Sequence, residues 1–392
     1  MNKSILNTGV QDFINKKWNA DTMSVLLKKQ LFQDVTQKEL VEQLEAKKRC
    51  KDKLPTWFGT PNIYYPNKLN IEQTSSEKTA SYKADMISGN SLVDLTGGLG
   101  VDSYFFLKKF HEVVHCEIDS NLSEIAQHNF QVLNQNNINC LAKNGIDYLK
   151  TIDKTFDWLY VDPSRRSDHK GKVFLLEDCI PNLPENLSLL FQSTKNILVK
   201  TSPLLDIKQG IKELDFVKEI HVVAVKNEVK ELLFVLQHGF LGDIHIRTAN
   251  LLQDTHQIFD FWLHGESEAI INYGNPESYL YEPNAAILKS GGFKSVGREF
   301  QLTKLHPHSH LFTSSELKDF PGRRFKVEEI LPYSKNLFKT QKNLKANITT
   351  RNFPLSVAEL RKKHKIKDGG ETYLFFTKIE NNTMVVLRCK KV

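Results

Sequence analysis

The sequence lacks the marks of several protein classes. Its 392 residues include five cysteines, none in a C-x-x-C pair, so we expect neither a disulfide framework nor a zinc site. No apolar run approaches the ~20 residues that span a bilayer, and the N-terminus has no signal-peptide pattern. We therefore expect a cytoplasmic protein without a metal or a membrane partner, and we favour a monomer over an oligomer.

Charge is unevenly spread along the chain. The whole sequence carries a formal net charge of +7. Residues 321–392 hold 17 Lys and Arg against 6 Asp and Glu, a net charge of +11, which leaves −4 for all the other residues. A basic end on a slightly acidic body favours a polyanionic partner, and nucleic acid is the usual one. The alternative is a solvated face that only keeps the protein soluble.

Strand and helix patterns alternate through the middle of the chain. Residues 5–53 are predicted to be helical, with a capping box at Thr36-Gln37-Lys38-Glu39, and another helix runs from about Ser75 to Ile87. Apolar runs then predict strands at 92–95, 113–118, 158–161, 196–200, 221–225 and 231–236. Helical stretches separate most of these strands, which indicates βαβ units in a mainly parallel sheet.

The last two of these strands differ from the others. Only Lys226 to Lys230 separates them, which is too short for a crossover helix, so the pair should be antiparallel. We therefore predict an α/β fold with a Rossmann-like, mostly parallel sheet and an antiparallel last strand. The expected divisions are an N-terminal helical region (1–85), the sheet domain (86–240), a small α+β domain (241–320) and a basic α+β domain (321–392). Within the third, Tyr281 to Lys289 is predicted to start a short helix.

A glycine-rich loop follows the first predicted strand. Gly97, Gly98 and Gly100 there permit a tight turn and a close approach to a ligand. Ser103 stands where the dinucleotide fingerprint needs its third glycine, which disfavours a nicotinamide-dependent oxidoreductase. The sequence also has no P-loop. Several nucleotide-binding families remain compatible with the loop alone.

Acidic residues follow the next strands in a regular order. Glu117 ends the second strand, where a carboxylate can accept hydrogen bonds from ribose hydroxyls. Asp147 is expected at the end of the third strand region, where it could accept from an adenine amino group while Ile146 packs on the ring. Asp162 follows the fourth strand and points into the substrate crevice. Turns favour Asp in any case, so the order of the residues matters more than any one of them.

Motifs across most of the chain support a family resemblance. Residues 72–236 resemble the class I S-adenosylmethionine (SAM)-dependent methyltransferase fold, and the whole chain is similar to bacterial methyltransferases with a ferredoxin-like and a C-terminal THUMP-like domain. The matching segments are 72–80, Asp94 to Val101, Asp162 to Arg166, Lys200 to Leu204, Tyr281 to Ala285, and Thr349 to Leu355. The resemblance implies SAM as cofactor and, because THUMP domains accompany RNA-modifying enzymes, an RNA substrate.

The candidate site residues follow from these motifs. The cofactor set is Asp94, Thr96, Gly97, Gly98, Gly100, Glu117, Ile118, Ile146 and Asp147. The catalytic set is Asp162, Pro163, Ser164 and Arg165. Amino-methylating relatives carry Asp-Pro-Pro-aromatic at this place, so Ser164 and Arg165 are departures. Asp162 can still accept from an amine, and an Arg165 guanidinium can stack on a base or bind phosphate, but the acceptor atom stays open.

Basic residues near the crevice and in the tail are candidates for RNA contacts. They are Arg166, Arg351, Arg361, Lys362, Lys363 and Lys365. Such residues neutralise phosphates without sequence preference. Alternatively, Arg165 and Arg166 pair with Asp168 or Glu177, and the tail cluster compensates a helix dipole. The run His306 to His310 is interpreted as a surface loop in preference to a metal site.

The function predicted from these residues is SAM-dependent methylation of an rRNA or tRNA base, with Asp162 orienting the acceptor and the basic tail docking RNA. Two alternatives stay open. One is a non-catalytic RNA-binding protein on a methyltransferase scaffold, which the intact acidic set disfavours. The other is a methyltransferase that acts on a substrate other than RNA.

Overall fold

The computed structural model describes residues 1–165, 174–341 and 343–392. The chain divides into two compact units. The first comprises Met1–Lys218 and Leu233–Leu241, and the second comprises Glu219–Leu232 and Gly242–Val392. The predicted boundary at residue 85 separates no compact units, because the N-terminal residues fold with those that follow them.

The first unit begins with helices, as the sequence predicted. After a 3₁₀ turn at Lys3–Leu6 come α1 (Thr8–Lys17), α2 (Thr22–Leu26), α3 (Gln37–Lys53), α4 (Pro55–Gly59), α5 (Lys68–Gln73) and α6 (Glu77–Met86). The capping box of α3 is confirmed, since the Glu39 N–H donates to Thr36 Oγ1 at 3.2 Å and the Thr36 N–H donates to the Glu39 carboxylate at 2.9 Å. These reciprocal bonds satisfy two backbone donors at the start of the helix.

A nine-stranded sheet follows the helices. The strands up to residue 262 in the described chain are β1 (Gly89–Asp94), β2 (Phe110–Cys116), β3 (Ile138–Leu141), β4 (Trp158–Val161), β5 (Ser164–Arg165), β6 (Cys179–Ile180), β7 (Asn196–Thr201), β8 (Val217–Val225), β9 (Glu228–Gln237), β10 (His245–Leu251) and β11 (His256–Trp262). Their order is β11-β10-β8-β9-β7-β4-β1-β2-β3, while β5 and β6 pair separately. The pairs β1–β2, β1–β4, β2–β3 and β4–β7 are parallel.

Helices connect the strands of this sheet. The strand sequences are therefore continuous apolar runs and do not alternate between apolar and polar residues. They are α7 (Val101–Phe106), α8 (Ser120–Val132), α9 (Gly145–Lys150), α10 (Leu183–Ser193) and α11 (Ile207–Glu213). Leu92 and Val93 of β1 are fully buried. The carboxyl ends of β2, β1, β4 and β7 therefore lie side by side, and that edge carries the predicted site.

The predicted antiparallel pair is confirmed. Neighbouring strands β8 and β9 are joined by Lys226 and Asn227 alone, whose φ values are 50° and 64°. Two left-handed residues make the tight turn of an antiparallel hairpin. The mostly parallel α/β sheet with an antiparallel strand is thus the predicted class I arrangement.

The predicted third domain begins with two strands of the nine-stranded sheet. Residues 245–262 form β10 and β11 of that sheet, while Gly242–Val392 fall together in the second compact unit. The predicted helix at 281–289 is wrong in its first half. Tyr279–Pro283 is strand β12, and the helix begins only at Ala285. The Asn284 side chain caps this helix by accepting from the Ile287 N–H.

The second unit carries a seven-stranded sheet. Its further elements are α12 (Leu263–Glu268), β12, α13 (Ala285–Ser290), α14 (Phe293–Glu299), β13 (Thr303–Lys304), β14 (Phe312–Ser314), β15 (Gly322–Pro332), β16 (Asn347–Arg351), α15 (Val357–His364), β17 (Thr372–Lys378) and β18 (Met384–Lys391). The strand order is β13-β14-β12-β15-β18-β17-β16. Strands β15 to β18 and helix α15 make residues 322–391 a mixed α+β segment. No helix in the described ranges is long and apolar enough to cross a bilayer.

Candidate functional site

The glycine loop starts at Asp94, the last residue of β1. Its side chain is 1% exposed, and its two oxygens accept from the Thr96 N–H at 3.0 Å and from Ser103 Oγ at 2.6 Å. Burial raises the pKa of this carboxyl to about 7, although both hydrogen bonds oppose the rise. Asp94 therefore holds the loop in place from beneath, and Ser103, at the position of the missing third glycine, is its partner.

The three glycines of the loop have different surroundings. A Cβ on Gly97 would overlap the His115 ring, and one on Gly100 would overlap Phe130. Gly98 has a φ of +57°, and a Cβ there would meet nothing closer than the Thr96 carbonyl oxygen at 3.9 Å. Two glycines thus allow tight packing within the protein, whereas Gly98 presents its backbone to open space.

His115 supports the loop and was not predicted. The ring is fully buried in β2 under Gly97 and meets Phe130 edge-on, with 5.7 Å between ring centroids. Burial lowers its pKa to about 4, so the ring is neutral at physiological pH. The one indication of its role in the sequence was its position inside an apolar strand. That position indicates that His115 is buried but does not indicate any function.

Glu117 follows β2 and is tied to the loop. Its Oε2 accepts from the Gly98 N–H and its Oε1 from the Asp119 N–H, both at 2.8 Å. Carboxylate oxygens can each accept more than one hydrogen bond, so these contacts orient Glu117 without exhausting it. The next residue, Ile118, is 69% exposed.

The segment after β3 is anchored on the same loop. A Cβ on Gly145 would overlap Leu95, so this glycine lets the segment approach the glycine loop closely. The Asn144 side chain caps α9 by accepting from the Ile146 N–H at 2.9 Å. Ile146 is 8% exposed, and Asp147 is exposed with its carboxylate 3.2 Å from Lys150 Nζ. The predicted adenine-side residues are thus held beside the loop.

Asp162 lies immediately after β4, and two contacts fix it. Its N–H donates to Thr96 Oγ1 at 2.7 Å, which links the motif to the glycine loop. Its carboxylate forms an ion pair with Lys200 Nζ, from the end of β7. The side chains are 31% and 12% exposed. The sequence assigned no role to Lys200. Its position at a strand end, as the first residue of the Lys200 to Leu204 motif, was the available signal.

A buried charge network lies behind this pair. Asp102 on α7 accepts from Ser75 Oγ and from the Tyr160 hydroxyl, each at 2.7 Å, and its carboxylate lies 3.1 Å from Lys83 Nζ. Lys83 is fully buried. Burial acts to raise the pKa of Asp102, but the charges of Lys83 and Lys200 outweigh it and hold the pKa below its usual value.

These contacts explain the motif at residues 72–80. Ser75 donates to Asp102, and Ser76 caps α6 by accepting from the Thr79 N–H at 3.2 Å. The Glu77 carboxylate accepts from the N–H and the hydroxyl of Thr56 at 2.6 and 2.7 Å. The motif therefore fixes the helix that carries Lys83 to the sheet. Its polar residues were the signal, but their spacing alone indicates no chemistry.

The residues after Asp162 form a short strand. Ser164 and Arg165 pair with Ile180 and Cys179 in the small sheet of β5 and β6. The Arg165 guanidinium carbon lies 5.9 Å from the centre of the Phe174 ring. The motif itself has no aromatic residue, but Phe174 places an aromatic ring beside Arg165. The sequence did not predict this contact. Arg166 and Asp168 lie outside the described residues.

Two of the predicted RNA-contacting arginines are engaged within the second unit. Arg351 pairs with Glu282 at 2.8 Å, and Arg323 donates to the other oxygen of that carboxylate at 2.6 Å. The Glu282 side chain is 4% exposed. Arg361 pairs with Asp368 and donates to the Ala346 carbonyl at 3.3 Å. Internal partners therefore account for both guanidinium groups without any RNA.

The predicted lysines of the tail remain at the surface. Lys362, Lys363 and Lys365 are exposed at the C-terminal end of α15. Lys363 Nζ donates to the Tyr333 hydroxyl at 2.9 Å, and Lys365 ends the helix with a φ of 55°. Their position is compatible with dipole compensation and with phosphate contact alike.

The segment 306–310, interpreted as a surface loop, is a turn that is only partly at the surface. Pro307 and His308 are exposed, whereas His306 is 5% exposed and Ser309 is fully buried. The ring nitrogens of His306 lie 3.1 Å from Asn382 Oδ1 and 3.0 Å from Asn352 Nδ2. The two asparagines come from distant parts of the tail, so only tertiary contacts show that His306 is buried.

Comparisons with known proteins agree with this architecture. Residues 279–321 match a family described as a ferredoxin-like domain, and residues 322–391 match one described as THUMP domain-like. A crystal structure of a candidate methyltransferase from Porphyromonas gingivalis W83 is 35% identical and covers 100% of this chain and 98% of that one, with a TM-score of 0.89.

Relatives in Mycobacterium tuberculosis, strains CDC 1551 / Oshkosh and H37Rv, are described as uncharacterized SAM-dependent methyltransferases. Each is 22% identical over 315 residues, which is 79% of this chain and 83% of the relative. The full-length structural match, the two C-terminal domains and these relatives agree with the glycine loop and its ordered acids. The chain belongs to the family of SAM-dependent methyltransferases that carry a ferredoxin-like and a THUMP-like domain.

Proposed function

We propose that SAM binds over the glycine loop with its adenosine beside Glu117 and Asp147. The observation that carries this proposal is the open space above Gly98, whose N–H is itself held by Glu117 at 2.8 Å. In this proposal Glu117 accepts from the ribose hydroxyls, Asp147 accepts from the adenine amino group, and Ile118 and Ile146 contact the ring. SAM supplies an electrophilic methyl group carried on a sulfonium.

The remaining residues of the predicted cofactor set shape the loop. Asp94 and Thr96 fix its path through the hydrogen bonds to the loop backbone and to the Asp162 N–H. Gly97 and Gly100 are closed by His115 and Phe130, so they allow the loop to pack on the sheet, and Gly98 is left as the close contact with the cofactor.

Replacing Gly98 with tryptophan should weaken SAM binding at least about tenfold, because the indole would fill the proposed cofactor space and disfavour the left-handed backbone. Isothermal titration calorimetry of SAM into the purified protein measures the effect. Gly239→Trp is a matched control, since Gly239 also has a positive φ, +78°, with nothing within 4 Å of a Cβ. Equal SAM affinity for Gly98→Trp and the wild type would disprove this placement of the cofactor.

We further propose that the substrate is RNA, with Asp162 orienting the acceptor group and Arg165 beside it. Two observations support RNA: the THUMP-like match over residues 322–391 and the exposed lysines at the end of α15. Lys362, Lys363 and Lys365 would contact phosphates, which makes binding strongly dependent on salt. We leave Arg351 and Arg361 out of this surface because Glu282 and Asp368 engage them.

Total RNA from cells without the gene should lack one methylated nucleoside that is present when the gene is restored. Mass spectrometry of nucleosides from the two RNA preparations measures this difference. Restoring the gene with Gly98→Trp should leave the nucleoside missing, whereas Gly239→Trp should return it. Identical nucleosides in all preparations would direct attention to a protein or small-molecule substrate.

A further inference from the structure

The side chains of Asp162 and Lys200 put an acceptor and a donor of hydrogen bonds next to each other at one edge of the sheet. Asp162 directly follows β4 and Lys200 is the penultimate residue of β7. These strands are neighbours in the sheet, and the two side chains form an ion pair. The Asp162 side chain is 31% exposed and the Lys200 side chain 12% exposed, so neither side chain is completely closed off from solvent. The pair lies where the methyl acceptor is proposed to bind.

This arrangement suits a hydroxyl better than an exocyclic amine. An amine nitrogen attacks through one lone pair, and its two N–H groups need two acceptors, so a neighbouring ammonium would donate to the lone pair that must react. A hydroxyl has one proton, which Asp162 can accept, and two lone pairs. One lone pair can accept from Lys200 while the other attacks.

The residues after Asp162 support the same choice. A flat base amine is usually held by stacking, but the motif has Ser164, which is exposed, and Arg165, which lies over Phe174. One face of the Phe174 ring is therefore already occupied by a guanidinium. A sugar hydroxyl requires no such surface.

The charge of Lys200 also acts on a second carboxylate. It helps to hold the pKa of Asp102 below its usual value, and Asp102 is fixed by Ser75, Tyr160 and Lys83. The ammonium of Lys200 thus forms an ion pair with Asp162 and also interacts electrostatically with Asp102. Such fixed charges stabilise a transition state because they need no rearrangement when the reaction occurs.

We propose that the acceptor is a ribose hydroxyl of RNA held between Asp162 and Lys200, which rests on the proposed function above. Among the groups of RNA, hydroxyls belong to the ribose, and an internal nucleotide offers its 2′-hydroxyl. The hydroxyl oxygen forms the new bond to the methyl carbon while the carbon–sulfur bond breaks and its electron pair stays on sulfur. The hydroxyl proton passes to the Asp162 carboxylate.

Alkaline digestion distinguishes this product from a methylated base. The full-length protein is incubated with SAM tritiated in its methyl group and with total RNA from cells lacking the gene. Alkali cleaves RNA through the 2′-hydroxyl, so a 2′-O-methyl group leaves a resistant dinucleotide. We expect the tritium in dinucleotides. Tritium in mononucleotides would overturn the hydroxyl assignment while leaving RNA methylation intact, whereas no tritium in RNA would overturn both proposals.

Variants of Lys200 test the donor itself. Lys200→Met should lower tritium incorporation about 100-fold, the usual scale for the loss of one positioned donor that stabilises charge in the transition state, and Lys200→Arg should retain more of it because it keeps a charged donor. SAM affinity, measured by calorimetry, should match the wild type in both. Lys109→Met is the control, since Lys109 pairs with exposed Asp85. Full incorporation by Lys200→Met, or loss of SAM binding in parallel with incorporation, would overturn the role of Lys200.

Discussion

Replacing Lys83 with methionine is expected to lower the free energy of unfolding by about 3–5 kcal/mol. The Lys83 side chain is fully buried, and its ammonium lies 3.1 Å from the carboxylate of Asp102, whose side chain is 11% exposed. Methionine fills a similar volume but leaves that carboxylate without its nearest positive charge. The cost arises because an ionised carboxylate that is buried without a positive partner is unfavourable, and it can become neutral only by taking up a proton.

Urea denaturation of the purified variants measures this change in the free energy of unfolding. Lys109→Met removes an exposed ion pair and should cost less than about 1 kcal/mol. The double variant Lys83→Met with Asp102→Asn should recover part of the loss, because it removes the uncompensated charge as well. If Lys83→Met were as stable as Lys109→Met, the buried network would not be held by charge.

Replacing Asp162 with asparagine is expected to slow methyl transfer by about 10²–10⁴-fold, the range for loss of a general base. The amide keeps the size of the side chain but cannot take up the acceptor proton, and it ends the ion pair with Lys200. The backbone contact from the Asp162 N–H to Thr96 Oγ1 does not involve the carboxylate. The glycine loop should therefore keep its shape and SAM its affinity.

Tritium transfer to total RNA and calorimetry of SAM binding separate these effects. Asp85→Asn is a matched control, because Asp85 is an aspartate in an exposed ion pair with Lys109 and has no place in the proposed site. It should behave as the wild type in both measurements. An Asp162→Asn variant that transfers methyl groups at the wild-type rate would remove Asp162 from the proposed chemistry.

Features that depend only on residues close together in the sequence could be predicted from it. An apolar strand followed by glycines, and a hairpin with too few residues for a crossover, determine local backbone geometry whatever surrounds them. The capping box at Thr36 belongs to the same class, and it is present. The order of Glu117, Asp147 and Asp162 was also readable, since carboxyl ends of parallel strands share one edge of a sheet.

Partnerships between distant residues were decided by the tertiary structure alone. Lys83, Asp102 and Lys200 come from two helices and a strand, and nothing local in the sequence indicates that their charges meet. The same holds for Arg351. The sequence predicted that it contacts RNA, and the structure shows it bonded to Glu282, 69 residues away. Long side chains and charges act through space, so their roles depend on where the chain returns. The sequence therefore determined the parallel strands and the glycine loop, because local patterns specify them, and folding alone brought Lys200 to Asp162.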